Sequence, residues 1–320
     1  MNSPSARLER DIFNTVIERI DAKWPMAKNL VISGTWIRNA EHLIDSALEV
    51  FKPHQVFIGV IADYWGNDNW AKEKFKNISR VEYFGNAYGP HRFESTAVLG
   101  KDIVNQYSKD DLALDPLNFK LFLCYQAKPH LHRQWLTHKL IEQQVDHLGW
   151  LSLQKNQHEN FMFDNLREFN IEQVSSNEEL NSKFCWNLGS KNIWQQHFLN
   201  IVSETFMDPT WHCCITEKVW KPIIGMRPFV ITGHPETYYW VKKYGFETFD
   251  EYWPHIDVAG SKDMYQVTDR IVELIKWLKG FSQAELYSMW LDMQPKLIYN
   301  QNRFQEFAKE QQTVIDNLYI

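Results

Sequence analysis

The stretch FLNIVSETFMDPTWHCCITEKVWKPIIGMRPFVITG, residues 198–233, decides the fold predicted for this chain. The apolar runs 198–202 and 229–231 each have the length and composition of a buried strand. Between them, Thr216 precedes a helical run, and a Thr hydroxyl at that position can accept a free backbone N–H. The order strand, loop, helix, strand predicts one βαβ crossover in a parallel sheet.

This crossover predicts an anion site at the start of its helix. The helix N-terminus lies at the carboxyl edge of the sheet, where open α/β folds bind ligands. Its unpaired N–H groups and its dipole favour a negative group, typically a phosphate. Lys218 adds a cation in the first turn, and Glu217 beside it can accept hydrogen bonds from sugar hydroxyls. This pair suits a sugar nucleotide.

The helix itself is expected to be short and bent. Pro222 lies inside it and lacks the N–H that would bond the carbonyl of Lys218, so it should kink or shorten the helix. Gly225 then offers a natural stop.

The residues ITEKVWKPIIGMRPFVITG resemble the donor-binding motif of the family 10 glycosyltransferases, the fucosyltransferases. The chain also resembles a broader group of bacterial and phage glycosyltransferase-like proteins, in which a tail similar to GFETFDEYW follows. The resemblance covers residues 198–253, with a weaker match over 122–133. It departs from the family at Cys214, where an aromatic residue is usual, and over residues 202–204, which only loosely match the family's Phe-Glu-Asn.

The resemblance implies a glycosyltransferase, with inverting transfer of a sugar from a nucleotide-sugar donor to a glycan or other hydroxyl acceptor. A GDP-fucose-like donor is favoured, and another GDP-, UDP- or ADP-sugar stays open. It also implies two Rossmann-like α/β domains facing a cleft, the GT-B-like arrangement, with C-terminal helices. Glu217 and Lys218 fall on the family's donor-contacting positions.

The composition of the chain limits the class of protein and the partners that can be expected. The chain has 320 residues, of which 44% are hydrophobic and 23% charged, as in an ordinary globular enzyme. The net charge is −6 without a long basic run, which argues against a partner with a nucleic-acid backbone. The N-terminus is polar and no apolar run could span a bilayer, so we expect a soluble, cytoplasmic protein. Because Golgi fucosyltransferases carry a membrane anchor, the resemblance then implies a relative of microbial or viral origin.

Hydrophobic periodicity predicts two successive α/β units. In the first, helices are expected over 8–22, 39–51 and 93–107, and strands over 30–33, 55–62 and 80–84. In the second, we expect strands over 120–125, 150–153, 198–202 and 229–231, and helices over 131–144, 235–244, 269–278 and 283–318. The polar segment 109–116 separates the units, so the predicted domains are an acceptor-side domain, 1–112, and a nucleotide-sugar domain, 113–320.

Other candidate donor-binding residues lie near the same strand ends. Arg133 follows the predicted strand 120–125 and a Pro-containing loop, and its guanidinium suits bidentate contact with a phosphate. A surface ion pair is the competing interpretation of Arg133. Glu204 and Thr205 end the strand before the crossover, where they could meet the ribose or sugar, or instead order the loop. Thr216, Glu217 and Lys218 complete the predicted donor site.

The general base of an inverting transferase removes the proton from the acceptor hydroxyl, and it is usually a carboxylate or a His. Asp63 and Glu94 are the candidates in the first domain, followed by His91. Taken singly, a residue of each of these kinds is more often an ordinary loop residue.

Several kinds of site are absent from the sequence. No two Asp residues stand two apart, so the chain has no DxD element, and it carries no P-loop, GxGxxG or GxSxG motif. The four cysteines form neither a CxxC pair nor zinc spacing, which predicts reduced thiols and no metal. We therefore expect a metal-independent reaction, in which Lys218, Arg133 and the helix N-terminus stabilise the departing diphosphate.

Two other classes of function stay open. The chain could be a non-catalytic relative that binds a nucleotide or a glycan in a structural role. It could also be another nucleotide-sugar enzyme, such as an epimerase.

Overall fold

The computed structural model describes part of the chain: the backbone of residues 5–9, 29–33, 55–58 and 80–83, and residues 76, 104–126, 128–154, 160–169, 171, 188–205, 207, 213 and 215–318. Side chains are not described for 312 and 314–318. The chain divides into two compact units. One comprises Met1–Glu94, Thr210–Cys214 and Glu310–Ile320, and the other Ser95–Pro209 and Ile215–Lys309.

The first unit contains a parallel sheet of four strands in the order β1-β2-β3-β4. The strands are β1 (Ser5–Glu9), β2 (Asn29–Ser33), β3 (Gln55–Ile58) and β4 (Arg80–Tyr83). Three of them coincide with the strands predicted to begin near residues 30, 55 and 80. The β-α-β alternation in the sequence predicted that these strands would be parallel.

The helix predicted over 8–22 is wrong at its start, because residues 8 and 9 belong to β1. The segment alternates polar Ser5, Arg7 and Glu9 with apolar Ala6 and Leu8, which is the period of a strand. Its backbone pairs with β2 from Ser5 opposite Asn29 to Glu9 opposite Ser33. The remainder of that prediction and the predicted helix over 39–51 lie outside the described residues.

The second unit contains another parallel sheet, in the order β6-β5-β7-β8. Its strands are β5 (Lys120–Cys124), β6 (Gly149–Leu151), β7 (His197–Ser203) and β8 (Phe229–Thr232). All seven residues of β7 and all four of β8 are buried, as expected for strands covered on both faces. The sequence predicted all four strands to within a few residues.

Six helices accompany this sheet in the described part of the chain: α1 (Leu131–Glu142), α2 (Lys191–Gln195), α3 (Glu217–Ile224), α4 (Thr237–Lys243), α5 (Met264–Leu278) and α6 (Gln283–Leu318). Helix α5 packs on α1 and β8. The predicted helix over 93–107 does not include residues 104–107, which form turns and bends. Asp110–Leu112 forms a short 3₁₀ helix in the predicted boundary segment.

The strand order places a topological switch point between β5 and β7. From β5 the chain crosses through α1 to β6 on one side, and from β7 it crosses through α3 to β8 on the other. Connections that leave in opposite directions open a crevice at the carboxyl ends of the two central strands, which is where ligands bind in open α/β sheets. The N-termini of α1 and α3 both lie at this edge.

Helix α3 is short, as Pro222 predicted, but its end differs from the expected glycine stop. Gly225 has an ordinary φ of −76°, and the left-handed residue is Met226, with a φ of 52°. Gly225 is required for a different reason: a Cβ there would lie 2.2 Å from Cε3 of Trp194. The small residue thus lets α3 pack against a buried indole ring.

Aromatic rings fill the core between α3, α4 and α6. The centroid of the Trp220 ring lies 5.3 Å from that of Phe246, 5.8 Å from that of Phe304 and 5.5 Å from that of Phe307. Gln301 of α6 donates a hydrogen bond from Nε2 to the carbonyl of Ile224, the last residue of α3. Helix α6 therefore both buries one face of α3 and pairs a carbonyl at its end.

A fully buried arginine joins four separate segments of this unit. The guanidinium of Arg227 donates to the carbonyls of Leu112, Trp194, His197 and Met226, and it lies 5.6 Å from the centroid of the Trp290 ring. These contacts pair carbonyls at the ends of the 3₁₀ segment Asp110–Leu112 and of α2, which have no partner within their own helices. Burial lowers the pKa of Arg227 to about 9, which leaves it charged at neutral pH.

Replacing this arginine with an apolar residue should be strongly destabilising. We expect Arg227→Met to lower the free energy of unfolding by about 3 kcal/mol or more, because several buried carbonyls lose their donor together. The matched control is Arg270→Met, which removes an exposed guanidinium paired with Glu273 and should change stability by no more than about 0.5 kcal/mol. Urea unfolding of both variants measures the difference, and equal effects would contradict this role.

Candidate functional site

The candidate site lies at the switch point, where α3 begins. Thr216 is the N-cap of α3 in extended conformation, and its Oγ1 accepts a hydrogen bond from the backbone N–H of Lys218 at 3.4 Å. This is the cap that the sequence predicted, and it pairs one of the free N–H groups of the first turn. The remaining first-turn N–H groups and the helix dipole give this end of α3 a positive character.

The ammonium of Lys218 lies over this helix start. Its Nζ donates to Glu217 Oε1 at 3.0 Å, to Thr216 Oγ1 at 3.0 Å and to Thr205 Oγ1 at 3.4 Å. An ammonium has three donors, so each has an acceptor in this arrangement. The Lys218 side chain keeps 29% of its surface exposed, which leaves it accessible to a ligand.

Glu217 is the counter-charge of Lys218. Burial acts to raise the pKa of Glu217, but the positive charges of Lys218 and Lys221 and the hydrogen bond from Lys218 Nζ lower it to about 2. Burial also acts against the charge of Lys218, yet Glu217 and Glu204 raise the pKa of that ammonium. Both groups are therefore ionised at neutral pH.

Glu204 lies directly after β7 and is fully buried. Its Oε1 accepts from the backbone N–H of Thr216 at 2.9 Å, and its Oε2 accepts from the Thr216 hydroxyl at 2.6 Å. The backbone N–H of Thr205 donates to the same Oε2 at 3.3 Å. Burial raises the pKa of Glu204, against the lowering effect of Lys218 and of the Thr216 hydrogen bonds.

Arg133 projects from the first turn of α1 to the same strand end. Its Nη2 donates to the carbonyls of Ser203 and Glu204 at 3.2 and 3.1 Å, and its Nη1 donates to the carbonyl of Lys128 at 3.2 Å. The side chain is buried, and its positive charge acts to lower the pKa of Lys218. The structure thus brings Arg133 together with Glu204, Thr205, Thr216, Glu217 and Lys218, all the predicted donor-binding residues.

The side chain of His132 belongs to the same cluster. Its Nε2 lies 2.8 Å from the carbonyl oxygen of Glu204, and because a carbonyl only accepts, Nε2 carries the proton. Burial, followed by the charge of Arg133, lowers the pKa of His132 to about 3, so the ring is neutral at pH 7. His130, at the N-cap of α1, stacks on His132 with ring centroids 6.0 Å apart.

Two polar side chains that the sequence did not single out lie at the same sheet edge. Ser203 ends β7, and its buried Oγ makes no hydrogen bond within the part of the chain that the structure describes. His234 follows β8, and its Nδ1 accepts from the backbone N–H of Glu236 at 3.1 Å. Since Nδ1 is an acceptor, the ring carries a proton on Nε2, which is buried and has no partner among the described residues. Both are polar residues at or just after the carboxyl end of a strand, and this position in the sequence could have identified them as candidates.

The predicted general bases do not fall in the described part of the chain. Asp63, Glu94 and His91 lie outside the residues that the structure describes, and their role stays a prediction. Among the described residues, no group of three or more His, Cys, Asp or Glu side chains could hold a metal ion. None of the described helices is long and apolar enough to cross a membrane.

Comparison with known proteins gives one distant match. No protein-family model matches this chain, and no curated protein matches it. Among solved structures, the crystal structure of an alpha1,3-fucosyltransferase with GDP is similar to it, with 12% sequence identity over 92% of this chain and 93% of that chain. The TM-score of this comparison is 0.37.

Because His132 is neutral in the folded protein, the free energy of unfolding should fall as the pH is lowered. The unfolded chain protonates this ring near pH 6.5 and the folded chain only near pH 3, so stability is lost as the pH falls between these values. We expect the free energy of unfolding to fall by about 2 kcal/mol by pH 5 because of this ring. The variant His132→Gln keeps a donor but does not titrate, so it should remove this part of the pH dependence.

Thermal unfolding between pH 8 and pH 5 measures this effect. The control is His147→Gln, an exposed position that should leave the pH dependence of the wild type in place. An unchanged pH dependence in His132→Gln would show that this ring does not control it.

Proposed function

We propose that the chain is a glycosyltransferase whose donor diphosphate binds at the start of α3. The observation that carries the proposal is the convergence of two cationic side chains, Lys218 and Arg133, on two helix N-termini at the switch point of a parallel sheet. Each element favours an anion on its own. Together they suit a doubly charged group that needs more than one cation, such as a diphosphate.

The neighbouring oxygens suit the sugar part of such a donor. Glu217 and the Thr205 hydroxyl lie beside the ammonium of Lys218, where they can accept hydrogen bonds from ribose or sugar hydroxyls. The resemblance of residues 198–253 to the family 10 glycosyltransferases favours a GDP-fucose-like donor. Because the sequence has no DxD element, the proposed reaction is metal-independent, with Lys218 and Arg133 in the place of a metal ion.

The proposed reaction is a single displacement at the anomeric carbon. A base removes the proton of the acceptor hydroxyl, the acceptor oxygen forms a bond to the anomeric carbon, and the bond from that carbon to the diphosphate oxygen breaks. The nucleoside diphosphate leaves with the bonding electron pair, and Lys218, Arg133 and the α3 dipole stabilise its charge. Asp63, Glu94 and His91 are the proposed candidates for the base, in an acceptor-side domain of residues 1–112 within a GT-B-like arrangement.

Nucleotide binding tests the donor site directly. We expect one of GDP, UDP, ADP and CMP to raise the melting temperature of the wild type, because a ligand at 100 times its Kd adds about 2.7 kcal/mol to stability. Lys218→Ala should abolish the ligand-induced shift. The shift, rather than the melting temperature itself, is the measurement, because loss of Lys218 also leaves Glu217 buried without its cation.

The matched control is Lys279→Ala, which removes an exposed lysine at the end of α5. It should keep the full ligand-induced shift of the wild type. If no nucleotide changes the melting temperature of the wild type, the proposed donor site is wrong.

Product analysis distinguishes a transferase from the two alternatives. Incubation with a sugar-labelled nucleotide-sugar should release the nucleoside diphosphate and place the label on an acceptor or, without one, on water. An epimerase would return the label in an isomeric nucleotide-sugar, and a non-catalytic relative would return the donor unchanged. If the donor binds and either of these two results is obtained, the proposed transfer reaction is contradicted, but the proposed binding site is not.

A further inference from the structure

Glu204 is the residue that contacts both cationic sides of the site, that of Lys218 through its carboxylate and Thr216, and that of Arg133 through its backbone carbonyl. Its side chain is fully buried, and both of its oxygens already accept hydrogen bonds. A ligand at the start of α3 would meet Lys218, which is partly exposed, before it could meet Glu204. Any effect of Glu204 on a ligand therefore passes through the groups that Glu204 holds.

The first of these groups is the Thr216 hydroxyl. The backbone N–H and the ammonium of Lys218 both donate to Thr216 Oγ1, at 3.4 and 3.0 Å, and they occupy its acceptor positions. The hydroxyl has one proton, and it donates this proton in a hydrogen bond to Glu204 Oε2, at 2.6 Å. Glu204 thus fixes the direction of the Thr216 hydroxyl, and the hydroxyl in turn fixes the ammonium.

The second group consists of the Arg133 and His132 side chains, in the first turn of α1. The backbone carbonyl of Glu204 accepts from Arg133 Nη2 at 3.1 Å and from His132 Nε2 at 2.8 Å. A residue whose carbonyl holds α1 and whose side chain holds the cap of α3 sets the distance between the two helix N-termini. The close approach of Gly233 leaves little room for a shift, because a Cβ there would lie 3.0 Å from Cβ of Glu204.

We propose that Glu204 is the positioning residue of the anion site: through Thr216 it holds the Lys218 ammonium, and through its carbonyl it ties Arg133 to the same point. This inference rests on the proposed function for the identity of the ligand as a diphosphate. The positioning itself is a property of the ligand-free protein.

Glu204→Gln tests the proposal because an amide cannot replace this carboxylate. Both oxygens of Glu204 accept from Thr216, one from its N–H and the other from its hydroxyl. A Gln side chain presents one acceptor and one donor, so either orientation breaks one of the two bonds. Thr216→Val removes the hydroxyl while keeping a similar shape, and Thr216→Ser keeps the hydroxyl.

The first measurement is binding of inorganic pyrophosphate to the full chain by calorimetry. We expect Glu204→Gln and Thr216→Val each to weaken binding about tenfold, and the double variant to be about as weak as either single variant. Thr216→Ser should bind like the wild type. An effect of the double variant near one hundredfold, the product of the two, would show that Glu204 acts independently of Thr216 and would overturn the proposal.

The second measurement needs no ligand. The nitrogen-attached protons of the Lys218 ammonium, assigned by their absence in Lys218→Arg, should exchange slowly with water in the wild type and in Thr216→Ser, and rapidly in Glu204→Gln and Thr216→Val. If the wild type binds no pyrophosphate, the proposed function fails, and these exchange rates still decide the positioning. Should Glu204→Gln not fold, unchanged exchange in Thr216→Val would overturn the proposal.

Discussion

The pairing of the Glu204 carboxylate with Thr216 is the constraint on which the site depends. Glu204 ends a strand that is buried along its whole length, and Thr216 begins the helix that follows. Two hydrogen bonds between them, of 2.9 and 2.6 Å, close the loop that separates these elements. Because the carboxylate is buried, its partners must stay in place to keep its oxygens satisfied. The first turn of α3 is thereby fixed against the sheet.

Much of this architecture could be predicted from the sequence. The runs that became β7 and β8 are continuous and apolar, as strands covered on both faces must be, and Thr216 marked the start of α3. Pro222 correctly indicated a short helix. Residues that follow the strands of a parallel sheet converge at one edge, which is why Arg133, Glu204 and Lys218 could be grouped before any contact was known.

Other features depend on contacts between residues far apart in sequence, which local patterns do not encode. Residues 8 and 9 fit both the helical pattern that begins at Leu8 and the alternating pattern of Ser5–Glu9, and only the pairing of this segment with β2 decides between them. Gly225 was expected to end α3 through a left-handed backbone, whereas its real constraint is the ring of Trp194. The burial of Glu204 and the three distant carbonyls around Arg227, those of Leu112, Trp194 and His197, likewise arise from tertiary packing.

The ion pair between Lys218 and Glu217 has a consequence for how an anion would reach the site. The two opposite charges lie 3.0 Å apart, so at distances well beyond this their fields nearly cancel. On a chain with a net charge of −6, little long-range attraction would then guide a polyanion inward. Salt screens the repulsion between the negatively charged chain and a polyanion, so encounter rates should not fall as the ionic strength rises. Discrimination would then arise after contact, when oxygens of the ligand replace protein oxygens as hydrogen-bond acceptors.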